Sequence, residues 1–231
     1  MQTKSIRTLG SAIFFLGIFF GLALAIATTW ASFESVFYFY TGATYDSFGG
    51  LRCPNLMTLS DTGIVAARFD NPTGQDIDPY YRVEMSGVIP REFENQLTVP
   101  PHQTNNIQWT VNSNDVDYSN FIFVKLEILP DAYYSSSQAT CGIMMINIRG
   151  LSGGQILALL LTVSLLGIVL GLELWASVND KTSNNYSNDL RVRQALGIFV
   201  SLAVLAGLTG WWVAGTIFCV LTILLLVILI R

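Results

Sequence analysis

Three cysteines are the residues of this 231-residue chain best suited to covalent chemistry. Cys53 and Cys141 bracket the polar middle of the chain, whereas Cys219 lies in an apolar stretch near its end. Two cysteines at the ends of a polar domain favour a disulfide in an oxidising compartment. We therefore predict a Cys53–Cys141 bridge and a Cys219 that serves as a small buried apolar residue.

Acidic side chains beside two turns offer the oxygen ligands that Ca²⁺ prefers. The first group is a candidate Ca²⁺ site and consists of Asp70, Asp76 and Asp78. Asp115 and Asp117 flank the later turn. Neither segment has the twelve-residue calcium loop with its terminal Glu, so aspartates that simply form turns are the alternative interpretation.

Catalytic motifs are absent from the sequence. It contains no Gly-x-Ser-x-Gly, no His-Glu-x-x-His, no phosphate-binding loop and no Cys-x-x-Cys-His. The single histidine, His102, lies in a Pro-Pro-His-Gln turn, far from any closely spaced pair of metal ligands. We predict no catalytic residue, no cofactor and no other metal site, and hence a protein that is not an enzyme.

Three stretches that are almost free of charge, residues 8–30, 154–177 and 194–230, are candidates to cross a membrane. As helices, the first two span about 30 Å of hydrocarbon once each. The third is too long for one crossing, and glycines around Trp211-Trp212 predict a hairpin between helices 194–210 and 212–230. A single kinked helix over 194–230, and a signal peptide cleaved near residues 25–27 in place of the first anchor, are the alternatives.

Basic residues beside these stretches predict the orientation in the membrane, because Lys and Arg concentrate on the cytoplasmic side. They are Lys4, Arg7, Lys181, Arg191, Arg193 and Arg231. With four crossings, residues 1–7 and 178–193 are cytoplasmic, both termini are cytoplasmic, and residues 31–150 are extracytoplasmic. We expect a multi-pass protein of the plasma membrane.

Aromatic and small residues supply two further predictions about the helices. Trp30, Trp211 and Trp212 are expected at the outer interface of the lipid bilayer and Trp175 at the inner one. Small residues four apart predict helix-packing faces: Gly17, Gly21 and Ala25 in the first helix, Gly167 and Gly171 in the second. No charged residue is expected deep in these helices, which argues against a transporter.

The middle segment, residues 31–150, has the composition of a folded domain outside the bilayer. Its six basic and thirteen acidic residues give a net charge of −7, and nothing in it suggests nucleic acid binding. Short alternating runs separated by turns predict strands at 63–69, 80–85, 96–99, 106–111, 121–129 and 140–148. The fold class we expect is α+β, with four transmembrane helices and an antiparallel β-sandwich inserted between the first two.

A resemblance rests on the order of these segments: an Asn71-Pro72-Thr73-Gly74 turn, then Leu-Thr-Val-Pro-Pro at 97–101, Asn-Ile-Gln-Trp-Thr-Val at 106–111 and Phe-Val-Lys-Leu-Glu at 123–127. Over residues 55–148 this order resembles the immunoglobulin-like adhesion and accessory modules found outside prokaryotic cells. The cysteines lie near the ends of the segment and not on two central strands. The layout of four spans with a large first outer loop is also similar to that of claudin-type proteins, without their Trp-Gly-Leu-Trp signature.

These observations lead to two expectations for function. The first is a non-catalytic accessory or structural subunit of a larger membrane complex, whose outer domain contacts other membrane protein subunits. The alternative is a cell-surface binding or adhesion module that recognises a ligand, a glycan or a partner protein. The sequence identifies no ligand.

Overall fold

The computed structural model of the protein describes residues 2–40, 46–117, 120–129, 136–178 and 184–230. The chain forms two compact units: Met1–Trp30 with Gln155–Arg231, here the helical unit, and Ala31–Gly154, here the β unit. The architecture is α+β with four long apolar helices and two sheets, as the sequence predicts at this level. Lys181, Arg231 and the side chain of Lys4, used above for orientation, lie outside the description.

The four helices are long and apolar enough to cross a membrane. They are α1 Gln2–Tyr38, α2 Gly153–Ser177, α3 Asn184–Leu208 and α4 Trp212–Ile230. Gly210, between α3 and α4, has φ +77°, a left-handed conformation that glycine adopts without steric cost and that ends a helix. The stretch 194–230 is therefore two helices and not one.

The observed helices extend beyond the apolar runs from which they were predicted. α1 continues to Tyr38, and α3 begins at Asn184, well before position 194. Arg193 thus falls within the candidate span Tyr186–Leu208 and is buried. The sequence placed Arg193 in the loop 178–193, because hydropathy locates the apolar part of a helix and not its hydrogen-bonded ends.

The β unit contains nine strands and one short helix among its described residues. The strands are β1 Asp46–Ser47, β2 Leu51–Arg52, β3 Leu56–Thr58, β4 Gly63–Asp70, β5 Tyr80–Met85, β6 Arg91–Gln96, β7 Thr104–Val111, β8 Phe121–Ile128 and β9 Ser137–Ile146, with a 3₁₀ helix at Ser113–Asp115. A six-stranded sheet has the order β1-β9-β8-β5-β6, with β3 also on β9, and a three-stranded sheet has the order β2-β4-β7.

The pairing directions correct the prediction of an antiparallel fold. β1 and β3 both pair with β9 in parallel, so the larger sheet is mixed. Hairpins impose antiparallel pairing on sequence neighbours, but β1 and β3 meet a strand that is about ninety positions away along the chain. β6 was also missed, since the sequence favoured a strand at 96–99; most side chains of this edge strand are exposed, so it lacks apolar alternation.

One hydrophobic core lies between the two sheets. Alternate residues of β4, β5 and β8 point into it, as expected for strands with one buried face. An aromatic series crosses the core in van der Waals contact: Phe48, Phe69, Tyr81, Trp109 and Phe93. The predicted disulfide is present: Cys53 is bonded to Cys141 of β9, with their Cα atoms 6.4 Å apart, and both pack against this core.

Asp61, which follows β3, accepts two backbone hydrogen bonds. Its Oδ2 accepts from the N–H of Gly153 at 2.7 Å and from the N–H of Thr58 at 2.9 Å. Gly153 is the first residue of α2, so its N–H has no partner within the helix. These bonds, that of Gly153 first, lower the pKa of Asp61 because they stabilise the carboxylate.

We expect Asp61→Ala to destabilise the β unit by about 1 to 2 kcal/mol at neutral pH, the usual cost of a lost helix cap. A carboxylate whose pKa is lower in the folded state stabilises fully above its unfolded pKa of about 3.9, and that stabilisation is lost as the pH falls through the folded value. Thermal unfolding of wild type and variant should therefore differ most above about pH 5 and converge below pH 4. A constant difference across this range would contradict the assignment.

Candidate functional site

Among the described residues of the β unit, the turn between β5 and β6 carries the most exposed large apolar side chains. Val88 is 92% exposed and Ile89 is 82% exposed. They follow Gly87 and precede Pro90 in residues 86–90, here called the hairpin tip. Branched apolar side chains are normally buried, so an adjacent exposed pair is an informative feature of this surface.

The base of the hairpin tip is fixed by a buried serine. The Ser86 hydroxyl donates to the Asp115 carbonyl at 2.8 Å and accepts from the Phe123 N–H at 2.8 Å. Gly87 has φ +145°, and a Cβ there would lie 2.9 Å from the Asn114 carbonyl oxygen. Glycine adopts this φ without strain and has no Cβ to meet the Asn114 carbonyl oxygen. The backbone conformation between β5 and the tip therefore requires glycine at position 87.

The other end of the tip is held by an ion pair between Arg91 and Asp115. The Arg91 Nε donates to Asp115 Oδ1 at 2.7 Å, and Nη2 donates to Oδ2 at 2.6 Å. The same Nη2 donates to the Thr110 carbonyl at 3.0 Å. The Asp115 side chain is only 3% exposed and also accepts from the Asn112 N–H at 2.9 Å. A two-point pair of this kind fixes orientation as well as distance.

The hairpin tip is therefore an ordered apolar projection on a fixed base. Ser86 and Arg91 form hydrogen bonds within the β unit, and the side chains of Val88 and Ile89 are exposed. Such a surface suits contact with an apolar pocket on another protein, because little conformational freedom remains to be lost on binding. It offers no arrangement of acid, base and nucleophile for catalysis.

The three aspartates predicted to bind Ca²⁺ do not form a cluster. Asp70 accepts from Arg68 Nε at 3.0 Å and from the Thr104 hydroxyl at 2.5 Å, and these donors lower its pKa. Within the described ranges, no three Asp, Glu, His or Cys side chains are close enough to share a metal ion. The Ca²⁺ site at Asp70, Asp76 and Asp78 therefore stays a prediction to which this geometry gives no support.

An asparagine organises that turn through its side-chain amide. The Asn71 amide donates to the carbonyl oxygens of Gln75 and Val99, each at 2.8 Å, and its Oδ1 accepts from the Thr73 N–H at 2.9 Å. These bonds fix the conformation of the turn. The aspartates around them are turn and surface residues.

The small residues of α1 and α2 lie where the two helices approach closely. A Cβ at Gly17 would be 2.6 Å from the backbone N of Ile168, and one at Gly167 would be 2.7 Å from the Gly17 Cα. The remaining three positions of the predicted faces contact neighbours in the same unit: Gly21 meets Ser164 and Val200, Gly171 meets Phe14, and Ala25 is fully buried. Backbone contact at this distance requires glycine.

The tryptophans predicted at bilayer interfaces fall into two groups. Trp30 and Trp211 are exposed, and Trp212 begins α4 in a half-buried position. Trp175, in contrast, is 1% exposed, and its ring stacks on Tyr186 with centroids 5.6 Å apart. It is a packing residue of the helical unit, a role that spacing from the end of the apolar run did not reveal.

Buried charge on β8 was also missed from the sequence. Lys125 donates to Glu84 at 2.6 Å, lies 3.5 Å from Glu127, and sits 5.6 Å from the centre of the Phe39 ring. A lysine among apolar residues gives no sign of these contacts, since Glu84 and Phe39 lie far from it in the sequence. The signal for the hairpin tip was present, however, because Val-Ile stands between Ser-Gly and Pro, where polar turn residues are usual.

Comparison with known proteins adds little. No family model and no curated protein matches the chain. A cycloisomaltooligosaccharide glucanotransferase from Paenibacillus sp. matches with TM-score 0.33 and 13% identity over 46% of this chain and 14% of its own. The CARDB domain of the PF1109 protein from Pyrococcus furiosus, solved with di-metal ions, matches with TM-score 0.32 and 8% identity over 42% and 90%. A Listeria innocua β-glucosidase matches with TM-score 0.29 over 41% and 15%. At these TM-scores the likenesses carry no argument.

Proposed function

We propose that this chain is a non-catalytic accessory subunit of a larger membrane protein complex. Its four helices span the membrane with both termini in the cytoplasm. The β unit is an immunoglobulin-like β-sandwich outside the cytoplasm, and it presents the hairpin tip to another membrane protein subunit. Two sheets around one core, with a disulfide between Cys53 and Cys141, support the sandwich and its oxidising location.

The observation that carries the proposal is the fixed apolar tip. Val88 and Ile89 expose most of their surface although Ser86, Gly87 and Arg91 hold the backbone between them. Covering such side chains with an apolar pocket is favourable by about 1.5 to 3 kcal/mol each. The close approach of Gly17 and Gly167 supports the same role, since it lets α1 and α2 pack closely in the membrane.

The double variant Val88→Ser/Ile89→Ser should dissociate the partner. Loss of two buried side chains weakens affinity by roughly a hundredfold or more, because each tenfold change corresponds to about 1.4 kcal/mol. The measurement is native co-purification of the full-length protein from its own membranes under mild detergent, with a photo-crosslinker at position 89 to mark the contact.

Ile64→Ser is the matched control, because Ile64 is an exposed apolar residue of the three-stranded sheet and does not belong to the tip. It should leave the partner bound, and a crosslinker at position 64 should give no adduct. A wild-type protein that purifies alone, or a tip variant that keeps its partner in full yield, would refute the proposed function.

A further inference from the structure

Arg193 is a buried cation of the helical unit without a counter-ion in the described chain. It lies in the third turn of α3 and is 9% exposed. Its guanidinium stacks over aromatic rings, 4.6 Å from the centre of Trp175 and about a further ångström from those of Phe14 and Phe15. Its Nε and Nη1 have no hydrogen-bond partner among the residues described.

Aromatic faces attract the positive charge but accept no strong hydrogen bond from its N–H groups. Asp189 attracts the guanidinium through space but forms no ion pair with it, and Arg7 repels it. A charged group inside an apolar helical bundle is costly unless it is paired, and arginines within membrane helices usually mark a ligand or ion site. The arrangement calls for an anion from outside the described chain.

A groove between α2 and α3 adjoins this arginine. Its volume is about 620 Å³, and Arg193 with Gln194 lines one end along α3. From there the groove follows α3 to Leu202, about 13 Å of helix. Apolar side chains dominate the lining: Leu165, Val169, Leu172, Ile198 and Leu202. One polar end and a long apolar body match a lipid headgroup joined to an acyl chain.

We propose that this groove binds an anionic phospholipid of the cytoplasmic leaflet, with its phosphate at Arg193 and one acyl chain along the apolar lining. The inference goes beyond the proposed function but rests on its premise that the helices span the membrane with Arg193 near the cytoplasmic side. Guanidinium and phosphate form paired, charge-assisted hydrogen bonds, and basic pockets between helices on that side recognise anionic headgroups.

Native mass spectrometry of the full-length protein in mild detergent tests the proposal. Phosphatidylglycerol and phosphatidylcholine with identical acyl chains are the probes. We expect phosphatidylglycerol to bind wild type at least tenfold more tightly than phosphatidylcholine, and Arg193→Gln to abolish that preference. Arg191→Gln is the matched control, since Arg191 lies two residues earlier on α3 and is exposed. It should change binding less than twofold.

A second variant keeps the test valid if Arg193→Gln fails to fold. Ser201→Phe fills the distant end of the groove without contacting the guanidinium, and should weaken phosphatidylglycerol binding about tenfold. Equal binding of the two lipids, or equal losses in the Arg191 and Arg193 variants, would overturn the proposal. Both outcomes are independent of partner binding at the hairpin tip, so failure here and failure of the proposed function are distinguishable.

Discussion

Replacing Cys53 and Cys141 together with serine will lower the free energy of unfolding of the β unit by about 4 to 5 kcal/mol. The bridge joins residues 88 positions apart, so its loss restores a large conformational freedom to the unfolded chain. Urea denaturation of the full-length protein with its other four tryptophans replaced by phenylalanine, followed through the fluorescence of Trp109, measures the change, because Trp109 packs against the core of the β unit. For a domain with typical stability this is a third or more of the total.

Cys219→Ser provides the control, because this cysteine is buried in the helical unit and forms no disulfide. It should leave the urea midpoint of the β unit unchanged. Reducing agent should reproduce the effect of the double variant in wild type and have no effect on the double variant itself. A loss below about 1 kcal/mol would mean that the remaining contacts already restrict the unfolded chain.

Arg91→Met should destabilise the β unit by about 3 kcal/mol, the second largest effect that we expect. It removes both side-chain donors of Asp115 and leaves a buried carboxylate with the Asn112 N–H as its one remaining donor among the described residues. Breaking one partner of a buried pair costs about 3 to 5 kcal/mol, and the half-exposed arginine places this site at the lower limit.

Arg68→Met is the matched control for charge removal, since both members of the Arg68–Asp70 pair are mostly exposed. An exposed pair contributes about 0 to 1 kcal/mol, so this variant should unfold close to wild type. The double variant Arg91→Met/Asp115→Asn should recover part of the loss because no charge remains buried. Urea midpoints of wild type, the two single arginine variants and the double variant measure these changes in stability. Equal effects of the two single variants would contradict a buried pair.

Local patterns in the sequence predict the helices and the longer strands. Strand β5 matches its predicted bounds because alternating residues of Tyr80–Met85 face one core. What local patterns miss is long-range pairing: β1 and β3 are too short to show alternation, and both reach β9 from far along the chain. The sequence underestimates the length of α1, because residues 31–38 are polar and aromatic rather than uniformly apolar and hydropathy does not detect them.

The candidate site was less predictable than the fold. Asp115 was noted in the sequence as an acidic turn residue, yet its role depends on Arg91, which lies 24 positions earlier. Arg193 was assigned to a loop because it stands directly before an apolar run, and only the helix that begins at Asn184 places it among aromatic rings. The sequence shows that such charged residues are present, but their partners are known only from the tertiary contacts.

The short parallel strands on β9 affect whether the larger sheets of neighbouring molecules are able to pair. β1 occupies the start of the outer side of β9 and β3 its end, so both stretches already have hydrogen-bonding partners. At the opposite edge, β6 carries Arg91, Glu92 and Glu94, and charged edge strands discourage pairing with a neighbouring chain. Neighbouring molecules therefore resist joining their larger sheets into a continuous fibre.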